Sequence, residues 1–139
     1  MSKVFVDTSA WAALFNKKDD NFKAAVKVWE DLKRQDALLF TTDYVIDELL
    51  TLLKARAGVD IAVNSGDSIL TSKVIRMIRV TDEIFSGTLE TFKKYKEHSF
   101  SFTDCTSFET MKRLGIGKVF TFDHDFKIMG YEILGILKG

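Results

Sequence analysis

Proline is absent from this 139-residue chain, cysteine occurs once and histidine twice. Long hydrophobic runs are missing as well: none approaches the ~20 apolar residues that span a bilayer. The lone Cys105 excludes an internal disulfide framework and a thiolate metal site, and points to a reducing cytoplasm. The opening Met1-Ser2-Lys3-Val4-Phe5-Val6-Asp7 meets an acid before any signal-like apolar core develops, so a soluble, unprocessed protein is expected. Net charge is missing too, because 20 basic and 20 acidic residues cancel. No global field then favours nucleic acid, and a polyanionic substrate would have to be attracted by bound divalent cations and a few local lysines. Local clusters exist at Lys17-Lys18, Lys33-Arg34, Arg76 with Arg79, Lys93-Lys94 with Lys96, and Lys112-Arg113, each of which also reads as a solvated helix face. Without repeats, low-complexity stretches or linkers, residues 1–139 fit a single domain, a size that buries roughly two-thirds of its unfolded surface.

Apolar runs alternate with helical patterns along the chain. Val4-Phe5-Val6 is a first strand, followed by a short helix from Ser9 to Asn16. Asn21 to Arg34 carries Phe22, Ala25, Val26, Val28, Trp29 and Leu32 near the 3.6 period of a helix. Leu38 to Thr41 is a second strand, and Thr42 can cap a helix from Asp43 to Ala57 that Gly58 terminates. Asp60 to Thr71 is helical, Lys73 to Val80 reads as a third strand, and Thr81 can cap a helix from Asp82 to Glu97. Asp104 opens another helix that runs to Leu114, with Cys105, Phe108, Met111 and Leu114 as its buried face. Lys118 to Phe122 and Tyr131 to Leu134 complete the strands. Strands separated by helices, without hairpin turns, predict an α/β fold with a central parallel sheet of four or five strands covered on both faces.

Two of these strands deliver carboxylates at their carboxyl ends, where α/β proteins do chemistry: Asp7 after the first, and Asp123 and Asp125 after Lys118–Phe122. Helical phase separates the pair Asp47-Glu48. Asp47 falls on a polar stripe with Asp43, Thr51 and Lys54, whereas Glu48 sits among Val45, Leu49 and Leu52 at the edge of the apolar face. A carboxylate held there must be paired, protonated or metal-bound, and a salt bridge to a lysine satisfies the first condition as well as a metal satisfies the last. Asp7, Asp104, Asp123 and Asp125 each have a second reading as helix caps. Glu109, in phase with Lys112 and Arg113, reads as solvent-facing. What favours a shared acidic site is the conjunction of strand-end acids at both extremes of the chain, a semi-apolar helical glutamate and a helix-opening aspartate.

Val6-Asp7-Thr8-Ser9-Ala10-Trp11, Ile46-Asp47-Glu48-Leu49-Leu50, Ser101-Phe102-Thr103-Asp104 and Thr121-Phe122-Asp123-His124-Asp125-Phe126 resemble, in order and spacing, the four acidic motifs of PIN-domain ribonucleases. The resemblance covers essentially the whole chain and is strongest to the small stand-alone members, the VapC toxins of toxin-antitoxin pairs. It implies a PIN-like three-layer fold and an endoribonuclease whose catalytic quartet is Asp7, Glu48, Asp104 and Asp123, holding one or two Mg²⁺ or Mn²⁺ ions. Asp125 is the fifth possible ligand, and either it or Asp123 could lie closer to the metal. Thr8 and Thr121, beside the ligands, could bind substrate phosphate or act as simple caps. The resemblance also implies an RNA substrate cut to a 5′-phosphate and 3′-hydroxyl, a small antitoxin partner and a homodimer. Trp29, Leu52 and Leu53 are available for such interfaces or for the core.

The donor set agrees with that chemistry, because Mg²⁺ prefers octahedral oxygen coordination at ~2.0 to 2.1 Å, whereas histidine and thiolate select other metals. His98 and His124 are therefore not expected ligands, and His124 reads as an exposed turn residue. Several carboxylates cannot crowd together ionised without a cation. A receiver-type signalling domain also has strand-end acids and Mg²⁺, but would need adjacent acids near the first strand, where Thr8 follows Asp7. A dehalogenase-type phosphatase would need an acid two positions after Asp7, where Ser9 stands. A non-catalytic RNA-binding PIN domain need not have kept the full acidic set.

Overall fold

The computed structural model describes residues 2–135. Five parallel strands form one sheet in the order β3-β2-β1-β4-β5: β1 (Lys3–Val6), β2 (Leu38–Thr42), β3 (Ile75–Ile78), β4 (Lys118–Phe120) and β5 (Glu132–Leu134). Seven helices flank it among the described residues: α1 (Thr8–Phe15), α2 (Phe22–Arg34), α3 (Asp43–Ala57), α4 (Val59–Thr71), α5 (Asp82–Lys94), α6 (Phe102–Leu114) and α7 (Asp125–Ile128). This is the parallel α/β architecture the sequence predicts. The receiver alternative fails on topology, because receivers run 2-1-3-4-5.

From β1 the chain steps outward through β2 to β3, then crosses back to β4 and on to β5. Right-handed crossovers running in opposite directions put α1 to α4 on one face and α5 to α7 on the other. The direction reverses between β1 and β4, which pair directly (Val4 with Lys118, Phe5 with Val119, Val6 with Phe120). In open α/β sheets that switch point, outside the carboxyl ends of the strands, is where ligands bind. Central β1 is apolar on both faces, with Val4, Phe5 and Val6 fully buried, and Trp11, Leu49, Leu53, Met111 and Phe126 fill the layers around it. Leu53 is therefore core, not an interface residue. Half-buried Trp29 leans on Trp11 at 5.7 Å between ring centroids.

Several boundaries differ from the expectation. β3 is confined to Ile75–Ile78 because the Ser72 hydroxyl accepts from the amides of Val74 and Ile75, bending the entry, while the Val80 amide leaves the ladder to donate to Asp43 Oδ1. α5 stops at Lys94, where Tyr95 turns to pack on His98 and Phe100. β4 ends at Phe120, so Asp123 follows it by three residues instead of directly. α6 starts at Phe102 with Ser101 as its cap, which makes Asp104 the third helical residue and not the first. Glu109 is buried, not solvent-facing: α5 and the sheet together enclose a wide arc of α6 from Cys105 to Met111. No helix of the described residues is long and apolar enough to cross a membrane.

Candidate active site

At the switch point the ends of β1 and β4 are tied together by hydrogen bonds. The Asp7 amide donates to the Phe120 carbonyl at 3.0 Å, which seats Asp7 beside the loop that follows β4. Asp7 occupies the N-cap position of α1 in extended conformation, yet its carboxylate makes no capping bond. Two hydroxyls hold it instead: Thr121 Oγ1 donates to Asp7 Oδ2 at 2.9 Å, and Ser9 Oγ at 3.2 Å. Ser9 Oγ in turn accepts from the Phe122 amide, and Thr121 Oγ1 from the Asp123 amide. The two hydroxyls thus fix the loop that carries Asp123. Thr121 is fully buried, and Thr8 is buried with a hydroxyl that has no hydrogen-bond partner among the described residues.

Asp104 arrives from the opposite side through a reciprocal capping box: its amide donates to Ser101 Oγ at 2.9 Å, and its Oδ2 accepts from the Ser101 amide at 3.0 Å. Its cap role is real and occupies one oxygen only. Asp123 Oδ1 likewise accepts from the Asp125 amide at 2.9 Å. Each of Asp7, Asp104 and Asp123 therefore commits one carboxylate oxygen to the fold, and the other makes no side-chain hydrogen bond among the described residues. Carboxylate oxygens of Asp104, Asp123 and Asp125 all lie within 4.8 Å of one another.

Asp7, Glu48, Asp104 and Asp123 line a single cleft of about 540 Å³, together with Thr8, Ser9, Asp19, Asn21, Leu52 and Arg56. Glu48 is half-buried where neighbouring Asp47 is exposed, as helical phase requires. Burial pushes the Asp7 carboxyl up to about 7, against the lowering effect of the Thr121 hydrogen bond and with repulsion from Asp104 and Asp123 added. Asp104 is raised to about 6, first by burial and then by Asp123 and Glu48, while Ser101 opposes the rise. Asp125 is also raised, by burial and by Asp123. These mutual effects place the five predicted acids in one electrostatic neighbourhood. His124 is exposed.

Sequence reasoning missed Ser9, Asp19, Asn21 and Arg56. Ser9 had a usable signal, since a hydroxyl two residues beyond a strand-end acid can fold back on it. The others enter the cleft through the loop between α1 and α2 and through the last turn of α3, which periodicity alone does not place there. The donor set suits a hard divalent cation: oxygen ligands only, crowded, partly desolvated and short of counter-charge.

Residues 4–130 match the PIN domain family. The chain is 35% identical over 128 residues to the 23S rRNA-specific endonuclease VapC20 of Mycobacterium tuberculosis, covering 92% of this chain and 95% of that protein. It is 29% identical over 125 residues to a VapC ribonuclease of Archaeoglobus fulgidus, covering 88% and 78%. The crystal structure of the M. tuberculosis VapC20, described as a Sarcin-Ricin loop cleaving toxin, superposes with a TM-score of 0.89 at 33% identity, covering 96% of this chain and 99% of that one. VapBC2 of Rickettsia felis, bound to a DNA fragment from its promoter, shares the fold at a TM-score of 0.68 and 14% identity, covering 95% and 97%.

Proposed function

This chain belongs to the PIN domain family, and from that premise we propose that it is a metal-dependent endoribonuclease, the toxin of a toxin-antitoxin pair, built as a single domain over residues 1–139. The observation that carries the reading is the cleft's set of buried and half-buried, mutually repelling carboxylates: Asp7, Asp104 and Asp123 each keep an oxygen left over by the fold, with no cationic partner at bonding distance among the described residues. Such groups are unfavourable for stability and match what a cation-binding hydrolytic site requires.

Asp7, Asp104 and Asp123 would hold Mg²⁺ or Mn²⁺, with Glu48 and Asp125 completing the set for one ion or two. A bound ion supplies Lewis acidity and neutralises charge on the phosphodiester during in-line attack. The chain's own residues do the rest. Ser9 and Thr121 aim Asp7, and the Ser101 capping box fixes Asp104. Glu48 or Asp123 orients the attacking water, and the strand is cut to a 5′-phosphate and 3′-hydroxyl. The 35% identity to a 23S rRNA-specific endonuclease makes structured ribosomal RNA the first substrate to test. A cytoplasmic setting, a small antitoxin partner and a homodimer belong to the same reading, supported by the resemblance to VapC proteins.

The test is cleavage of a ribosomal RNA stem-loop and of single-stranded RNA by wild type, Asp7→Asn and Asp104→Asn, each with Mg²⁺, Mn²⁺ or EDTA. Cleavage by wild type that needs the metal and both aspartates is expected. Cutting in EDTA, or undiminished cutting by folded variants, overturns the proposal.

A further inference from the structure

Along α3, Glu48, Leu52 and Arg56 recur at every fourth residue, so they form one stripe, and all three line the acidic cleft. The stripe changes character along its length, from acid to apolar to base. Arg56 also lines an adjoining cleft of about 500 Å³, with Asn16, Lys17, Lys18 and Ile61. It is thus the residue shared by the two clefts. Arg56, Lys17 and Lys18 are exposed, and none of them has an ion-pair partner among the described residues, whereas Arg34, Arg79 and Arg113 each have a carboxylate.

The lysines stand on a braced turn. The Lys18 amide donates to Asn16 Oδ1, the Asp19 amide to the Asn16 carbonyl, and the Asn21 amide to Asp19 Oδ1 at 2.8 Å. Asp19, the acid nearest these lysines in the cleft lining, spends one oxygen on that turn. Arg56 lies eight positions beyond Glu48 on the helix, about 12 Å along the axis. That span matches roughly three to four steps of a stacked strand at ~3.4 Å a step. A chain without net charge has no long-range field to hold RNA, so retention falls to bound cations and to local clusters of this kind.

We propose that Arg56, together with Lys17 and Lys18, binds the backbone phosphates of the RNA strand on one side of the scissile bond, with Leu52 as the apolar floor between them and the acidic centre. The proposal rests on the nuclease reading of the cleft. Backbone contacts of this kind position a strand without reading its sequence.

The experiment compares wild type with Arg56→Gln and with the triple variant Lys17→Gln/Lys18→Gln/Arg56→Gln. A charge-matched control carries Lys73→Gln/Arg76→Gln/Lys96→Gln, and thermal melts confirm folding. Cleavage kinetics are read on an RNA that wild type cuts, and binding of the same RNA is read in the Asp7→Asn background, both between ~50 and ~200 mM salt. The triple variant is expected to raise KM roughly tenfold with kcat within about twofold, and to lower the slope of log affinity against log salt by about 2, the single variant by about 0.7. The control keeps wild-type values. An unchanged slope and KM in the triple variant, or an equal loss in the control, overturns the proposal. Should wild type cut no RNA with any metal, the nuclease reading falls instead, and the binding slope still decides the role of the three cations.

Discussion

Two buried acids in this protein have opposite surroundings. Glu109, at the contact of α5 and α6, is 8% exposed, and Asp7, at the switch point of the sheet, is 4% exposed. Glu109 receives Arg113 Nε at 2.7 Å, and the absence of a side chain at Gly87 makes room for the pair: a Cβ there would lie 2.6 Å from Glu109 Oε2. Asp7 has two hydroxyls and no ion-pair partner among the described residues, and the charges that act on it are those of other acids, Asp104 and Asp123. Burial alone does not distinguish a structural acid from one proposed to be functional. What distinguishes them is whether the fold supplies the counter-charge.

The largest effect expected from that contrast is on activity. Asp7→Asn and Asp104→Asn should each lower kcat on RNA by roughly 10²- to 10³-fold or more while melting as folded proteins, and Glu109→Gln should leave kcat within about twofold. Similar losses at all three positions would erase the distinction. Thr121→Val tests the hydroxyl that aims Asp7, and a fall of about 10- to 100-fold in kcat or metal affinity is expected.

Stability should move in the opposite sense. With its folded pKa raised to about 7 from 3.8, Asp7 favours the metal-free fold fully below pH 4 and loses that contribution as pH rises through 7. The loss is about 4 kcal/mol at most. Denaturant melts in EDTA should show wild type weakening from pH 4 to pH 8, Asp7→Asn staying flatter, and added Mg²⁺ restoring wild type alone. A metal-free wild type that gains stability over that range would contradict the burial of an unpaired acid. Gly87→Ala should cost about 1–3 kcal/mol through the clash with Glu109, with Glu109→Ala in the same chain recovering part of it. Smallest of all, Asp47→Asn should change neither activity nor stability measurably, although its neighbour Glu48 lines the cleft.

That last pair shows what was legible from residues alone. The 3.6 period distinguished exposed Asp47 from half-buried Glu48, and the same reasoning placed α3 from its Thr42 cap, whose hydroxyl accepts from the Val45 amide, to Gly58. Periodicity failed on α6. A helix enclosed by both a sheet and another helix buries far more than one stripe, so the solvent-facing expectation for Glu109 was wrong while that for Asp47 held. At β3 the expected strand, Lys73 to Val80, was longer than the observed one, because side chains of Ser72 and Asp43 capture amides that the apolar positions between them cannot advertise. The shell around Asp7 was the least legible part. Ser9 and Thr121 meet across 112 residues of sequence, and only the pairing of β1 with β4 brings them together.

That pairing has a consequence for how the protein comes into being. β1 is synthesised long before its neighbour β4, which begins at Lys118 with Asp123 behind it. Until that segment emerges, one edge of the central strand is bare and Asp7 lacks the hydroxyl and amide contacts that hold it. A nascent chain can therefore form α2, β2 and α3 while its acidic centre stays unassembled. Completion of the acidic centre is thereby deferred until the β4 segment and the loop behind it have been made.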